Sequence, residues 1–236
     1  MSVSTLADNR AVKSAAGLEA RIEGNPDFGF LSCTLPPNQG LLVESGAMAA
    51  MSDGFEVKNR LPGGFWSSLL RKLFGGESAF MGEYTHPEGG TIDISPSFPG
   101  AVLHRTMQGE TIFLQGGSFM ACTPELELGV QFGGLKSFFS GEGAFFLKIS
   151  GQGELFFNAY GAVVERDVNG TFIVDTGHVV GWEPTLEWTI RGMGGLKSTL
   201  FSGEGLVIEF SGRGKVWTQT RHLGAFAGWL SGYCRG

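Results

Sequence analysis

"GGLKSFFSGEGAFFLKISGQGELFF", Gly133–Phe157, is written almost a second time as "GGLKSTLFSGEGLVIEFSGRGKVWT", Gly194–Thr218. Each copy opens on Gly-Gly, passes a short segment of helix-like composition, and turns at Gly-Glu. Apolar residues interrupted by Ser-Gly-x-Gly then follow. Glycines between short β-branched and aromatic runs read as tight turns between strands. Each copy is therefore expected to hold two strands joined by a hairpin loop, at Ser150–Gly153 in one and Ser211–Gly214 in the other.

Upstream of each Gly-Gly lies a matching first half, "TIFLQGGSFMACTPELELGVQFGG" and "TFIVDTGHVVGWEPTLEWTIRGMGG". The same pattern occurs earlier as "GLLVESGAMAAMSDGFEVKNRLPGG", ending at Gly64. The three align at Val43–Gly46, Leu114–Gly117 and Val174–Gly177. A third, degenerate second half follows Gly64. The chain reads as three copies of a unit of roughly 60–70 residues. The expected layout is an N-terminal extension over 1–23 and a single domain over 24–236, with repeats at about 24–108, 109–169 and 170–236.

A unit of about five short strands cannot bury its own apolar face, but three around a pseudo-threefold axis can. The expected fold class is all-β: three repeated antiparallel units in a β-sandwich-like arrangement, with one short amphipathic helix. Alternation over Ala144–Ser150 and Leu206–Phe210 supports strands. The positions read as outward-facing include Phe146, Val207 and Trp217. An outward face this apolar calls for cover by a second sheet or a second chain. A homo-oligomer, with a trimer among the candidate forms, follows as an expectation.

The series "GGESAF" at Gly75–Phe80, "SGEGAFF" at Ser140–Phe146 and "SGEGLVIEFSGRGKVWTQTR" at Ser202–Arg221 resembles the altered-inheritance-of-mitochondria protein family. The resemblance runs from about Gly24 to the end of the chain. It implies repeated β-sandwich units similar to the tryptophan RNA-binding attenuation protein, a variant of the double-stranded β-helix. It also implies a family with no established enzymatic activity, some mitochondrial members of which are linked to inner-membrane organisation. It supplies no catalytic residues to carry over.

Composition narrows the remaining classes. The net charge is −6, with 17 Lys and Arg in 236 residues and no basic run. Phosphate neutralisation supplies most of the affinity of a nucleic-acid binder, so this balance argues against one. Cys33, Cys122 and Cys234 are odd in number, far apart and without a C-x-x-C, which reads as reduced thiols in the cytoplasm. The N-terminus lacks an apolar signal core, and no 18-residue apolar stretch occurs.

Candidate functional residues are few. His86, His104, His178 and His222 show no His-x-His spacing, so each reads as an isolated surface or turn residue and no metal or cofactor is expected. Glu77, Glu142 and Glu204 occupy repeat-equivalent positions. They would either fix strand entry through backbone N–H bonds or meet at the axis around a hard cation. Glu44, Gln115 and Asp175 are also equivalent, and their variation in charge points to a turn role. No Gly-x-Ser-x-Gly or phosphate loop is present, so no enzyme is expected. Lys215, Trp217 and Arg221 form the best candidate for stacking a nucleobase. The first unit alone carries "FWSSLLRKLF", Phe65–Phe74. As a helix it would group Phe65, Trp66 and Leu69 on one side and Arg71 and Lys72 on the other. Such a helix would cap the β-core or dock on an anionic membrane surface or a protein partner. The functional expectation is a self-associating, non-enzymatic scaffold or interaction protein. The alternative is a nucleic-acid or small-ligand binding module.

Overall fold

The computed structural model describes residues 9–60, 81–132, 145–192 and 206–234. Most of the described residues lie in strands. The first ten strands are β1 (Arg10–Lys13), β2 (Glu19–Glu23), β3 (Phe30–Leu35), β4 (Gly40–Glu44), β5 (Met48–Met51), β6 (Glu56–Arg60), β7 (Met81–Thr85), β8 (Gly90–Ile94), β9 (Val102–Gln115) and β10 (Phe119–Cys122). The rest are β11 (Glu127–Phe132), β12 (Phe145–Asn158), β13 (Val163–Asp175), β14 (Val179–Trp182), β15 (Leu186–Gly192) and β16 (Leu206–Gln219), followed by helix α1 (Leu223–Cys234). The all-β expectation holds. The helix expected at Phe65–Phe74 lies outside the described residues, as do Glu77, Glu142 and Glu204.

Two antiparallel sheets result. The smaller runs β1-β2-β3-β8-β5. The larger runs β13-β16-β14-β9-β12-β10-β4-β7-β6, with β11 on β12 and β15 on β16. Residues 10–23, read as an extension, supply β1 and β2. Leu18, Ala20 and Ile22 of this segment are fully buried, because their alternation with charged residues gives β2 one apolar face.

The expected hairpin loops are not loops. β12 passes straight through Ser150–Gly153, and β16 through Ser211–Gly214. Against β9 the register shifts between Ser150 and Gln152, with β9 carrying the extra residue. Gly151, at φ 112°, lies opposite that bulge, whereas the β13–β16 register runs unbroken past Gly212, at φ 114°. A bulge and a hairpin both need glycine at positive φ, so composition alone does not separate them.

Among the described residues, three apolar cores form, and several strands feed two of them. Leu42 of β4 and Phe119 of β10 belong to a central core that also holds Leu114, Leu155 and Trp217. Leu41 and Val43 of β4, with Met120 and Ala121 of β10, face a second core against the smaller sheet. Val180 of β14 joins the central core, while Val179 and Trp182 enter a third. Strands buried on both faces read as unbroken apolar runs, as "FMAC" and "VVGW" do. Gly181 in the second run is required by contact: a Cβ there would stand 2.6 Å from both Leu114 Cδ2 and the Phe113 carbonyl oxygen.

The same arrangement corrects the outward positions. Phe146, Val207 and Trp217 are all buried within one chain, since the large sheet has cores on both sides. Trp217 donates its indole N–H to Glu165 at 2.9 Å and lies under the Arg105 guanidinium, and Lys215 pairs with Asp167 at 3.0 Å. This cluster offers no free ring for a base to stack on.

At the three equivalent turn positions, Asp175 accepts the Gly177 N–H at 2.9 Å, whereas Gln115 makes no such side-chain bond. Burial pushes the Glu44 carboxyl up from 4.5 to about 7. Between those values the unfolded chain ionises this group and the native chain does not, so stability falls as pH rises through that window. Glu44→Gln is expected to leave the melting temperature unchanged near about pH 4 and to raise it above about pH 7. Thermal melts of both proteins across that range check it.

Trp182 anchors the third core, stacked on Phe113 at 5.4 Å and edge-on to Phe146 at 4.7 Å. Trp182→Ala is expected to lower unfolding free energy by about 3–5 kcal/mol, measured by denaturant titration with an unchanged m-value.

Candidate functional site

The i, i+2 spacing of His104 and Thr106 places both on one face of β9. β12 pairs against β9 so that Glu154 stands opposite Thr106 and Phe156 opposite His104. His104 Nε2 lies 2.6 Å from Glu154 Oε2, and the Thr106 hydroxyl donates to the same oxygen at 2.9 Å. Arg10 arrives from β1 in the other sheet. Its Nη2 lies 2.8 Å from His104 Nδ1 and donates to the His104 carbonyl oxygen at 2.6 Å.

These partners fix the tautomer. A guanidinium only donates, so Nδ1 accepts. The ring proton then sits on Nε2 and is donated to the Glu154 carboxylate. His104 and Glu154 are 6 % and 5 % exposed, so a neutral imidazole passes charge balance from arginine to glutamate in a dry setting. Burial is the largest influence on His104 and holds its pKa below the ordinary 6.5. The Glu154 bond opposes that shift and the Arg10 charge adds to it. An open cleft of about 380 Å³ lies beside the relay, lined by Arg10, His104, Arg105, Thr106, Gln108 and Glu110.

A second feature lies at the other end of the chain. α1 reads "LGAFAGWLSGYC", holds no charged residue, and buries none of its side chains. Trp229 is 60 % and Tyr233 74 % exposed. Beside it opens a groove of about 860 Å³ bounded by Phe28, Tyr160, His178, Arg221, Phe226 and Trp229. His222 begins the helix. Its Nδ1 accepts the Ala225 N–H at 2.9 Å, which caps the first turn, and its Nε2 faces Asp175 Oδ1 at 3.2 Å.

Sequence reasoning missed both features. His104 was read as isolated because its partner is fifty positions away. The available signal was Glu154 itself, a charge set into the apolar run "ELFFN" of a strand interior. For α1 the signal was Phe226, Trp229 and Tyr233 at helical spacing, masked by three glycines in the same stretch. Among the described residues, no group of three or more His, Cys, Asp and Glu side chains is arranged to hold a metal ion. No helix among them is long and apolar enough to cross a membrane.

Comparison with known proteins follows the architecture. The sequence profile of the family described as mitochondrial biogenesis AIM24 matches residues 20–221. An uncharacterized protein of Streptococcus pyogenes serotype M6 is 24% identical over 239 residues, covering 98% of this chain and 94% of that protein. The X-ray crystal structure of a Streptococcus pyogenes protein superposes with a TM-score of 0.78 at 24% identity, covering 92% of this chain and 99% of that one. That likeness extends to the fold.

The relay makes its own prediction. Thr106→Val removes the hydroxyl that shares Glu154 Oε2 with His104 and is expected to cost about 1 kcal/mol. Glu154→Ala strips both donors of their acceptor and removes the balancing charge, with an expected cost of about 3 kcal/mol. Denaturant titration of the two variants checks the order.

Proposed function

The chain belongs to the family described as mitochondrial biogenesis AIM24, and within that family we propose that it acts as a non-enzymatic scaffold that self-associates through α1 and the adjoining groove. The observation that carries this is α1: twelve residues, no charge, no buried side chain. An apolar surface of that kind marks an interaction site. It offers no charge to select an oppositely charged partner, and the aromatic ridge of one copy suits the aromatic-lined groove of another. A protein complex assembled on such an oligomer is the scaffold role in its simplest form.

A non-catalytic role draws support from the relay. Both His104 ring nitrogens are engaged within the protein, so this buried cluster presents no imidazole lone pair to a bound substrate. A nucleic-acid role is disfavoured by the buried Trp217 and the paired Lys215. A small-ligand module is the second reading, favoured by the volume of the groove. A cytoplasmic setting belongs to the same proposal and rests on the odd number and wide spacing of Cys33, Cys122 and Cys234, with no C-x-x-C among them.

Light scattering at micromolar concentration tests the scaffold. The wild-type chain is expected at a mass of at least twice 25.2 kDa. The double change Phe226→Glu and Trp229→Glu is expected to return it to 25.2 kDa with an unchanged melting temperature, since neither side chain is buried. A wild-type monomer would overturn self-association.

A further inference from the structure

β1 is the outermost strand of the smaller sheet, and its hold on the fold is short. Among the described residues it pairs with β2 alone, across four residues. Ala11 and Lys13 are exposed, and Val12 packs at the margin of the second core. The Lys13–Glu19 ion pair is exposed on both sides and contributes little. What joins β1 to the larger sheet is Arg10, whose Nη2 reaches both Nδ1 and the carbonyl oxygen of His104.

We propose that Arg10 and His104 form a proton-operated latch, closed while Nδ1 of His104 is unprotonated, whose opening frees β1 from the edge of the smaller sheet. The latch works because a guanidinium has no lone pair. Once Nδ1 takes up a proton it has nothing to receive the Arg10 bond with, and the two cations repel each other against the one remaining bond, from Arg10 to the His104 carbonyl oxygen. One proton moves from hydronium to the Nδ1 lone pair, forming an N–H bond and leaving water; no bond between heavy atoms changes.

The groups facing the ring set the direction. Arg10 on β1 opposes protonation and Glu154 on β12 favours it. The Phe156 ring, 5.0 Å away, keeps one side dry. Thr106 is on the same strand as His104 and is uncharged. Arg105 and Glu110 line the cleft and pair with each other at 3.2 Å. Burial dominates, so the native ring holds fewer protons than the unfolded one on the acid side of 6.5. Acidification therefore favours any state in which the ring is released from Arg10. With β1 gone, the backbone N–H and C=O groups of Glu19–Ile22 that it had paired become an open sheet edge.

Hydrogen-exchange mass spectrometry on the full chain tests the latch, with rates corrected for the pH dependence of intrinsic exchange. Protection of the β1 and β2 amides is expected to fall by about tenfold or more between about pH 7.5 and about pH 5, while β13 and β16 stay protected. His104→Gln keeps an acceptor for Arg10 and a donor for Glu154 but does not titrate. It is expected to hold β1 closed at both pH values. Arg10→Gln alters only an edge strand and is expected to leave β1 open at both. The latch is overturned if wild-type protection ignores pH, or if His104→Gln shows the wild-type acid loss. Should His104→Gln fail to fold, a full wild-type pH response in Arg10→Gln overturns it equally.

Discussion

The antiparallel ladder between β9 and β12 is the interaction on which the rest of the structure depends. It runs from Phe146 against Gln115 to Asn158 against Val102, interrupted once by a bulge. β12 sends Phe146 into the third core, Leu155 and Phe157 into the central core, and Phe156 into the second. β9 contributes Val102 to the second core and Leu103 and Leu114 to the central one, with Phe113 packed against the third. One ladder therefore threads all three hydrophobic centres. A slip by a single residue would exchange the faces and damage every core together. The bulge matters for the same reason, because it lets a strand pair bend between cores without ending.

That ladder also explains why a charged relay is tolerated deep in the protein. Glu154 sits opposite Thr106 and diagonal to His104 only because the register is fixed there. Arg10 completes the balance from the other sheet, so a positive and a negative group are joined through a neutral ring rather than buried alone. α1 shows the opposite economy. It lies past the last strand, after the cores are complete, and its apolar side chains remain outside. The buried cluster fixes geometry, and the exposed helix is left available for contact.

Much of the fold was legible because strands fed by two cores announce themselves as continuous apolar runs, and "FMAC" and "VVGW" carry that signal without any alignment. What misled was glycine. In Ser150–Gly153 and Ser211–Gly214 it served a long strand rather than a turn, and both uses demand the same backbone freedom. Direction was the second weakness: Phe146, Val207 and Trp217 alternate as surface residues should, yet a sheet with cores on both sides has no outside for them. The relay was not legible, since Arg10, His104 and Glu154 come from three distant strands and only register brings them together. The Phe65–Phe74 segment and the three repeat-equivalent glutamates lie outside the described residues, so the site read from sequence and the site seen in the fold do not overlap.

The double-sided burial of β4, β10 and β14 bears on how such a chain can change over time. A strand with one wet face absorbs drift by exchanging polar residues there. A strand with two dry faces accepts only exchanges that preserve volume and apolarity, and it must find them on both sides at once. Gly181 narrows this further, since any side chain would strike the neighbouring strand. Divergence is thereby channelled into the thin margins: β1, the exposed faces of β5 and β6, and α1. Two members of this fold can then share about a quarter of their residues, as this chain and its streptococcal counterparts do, and still superpose closely.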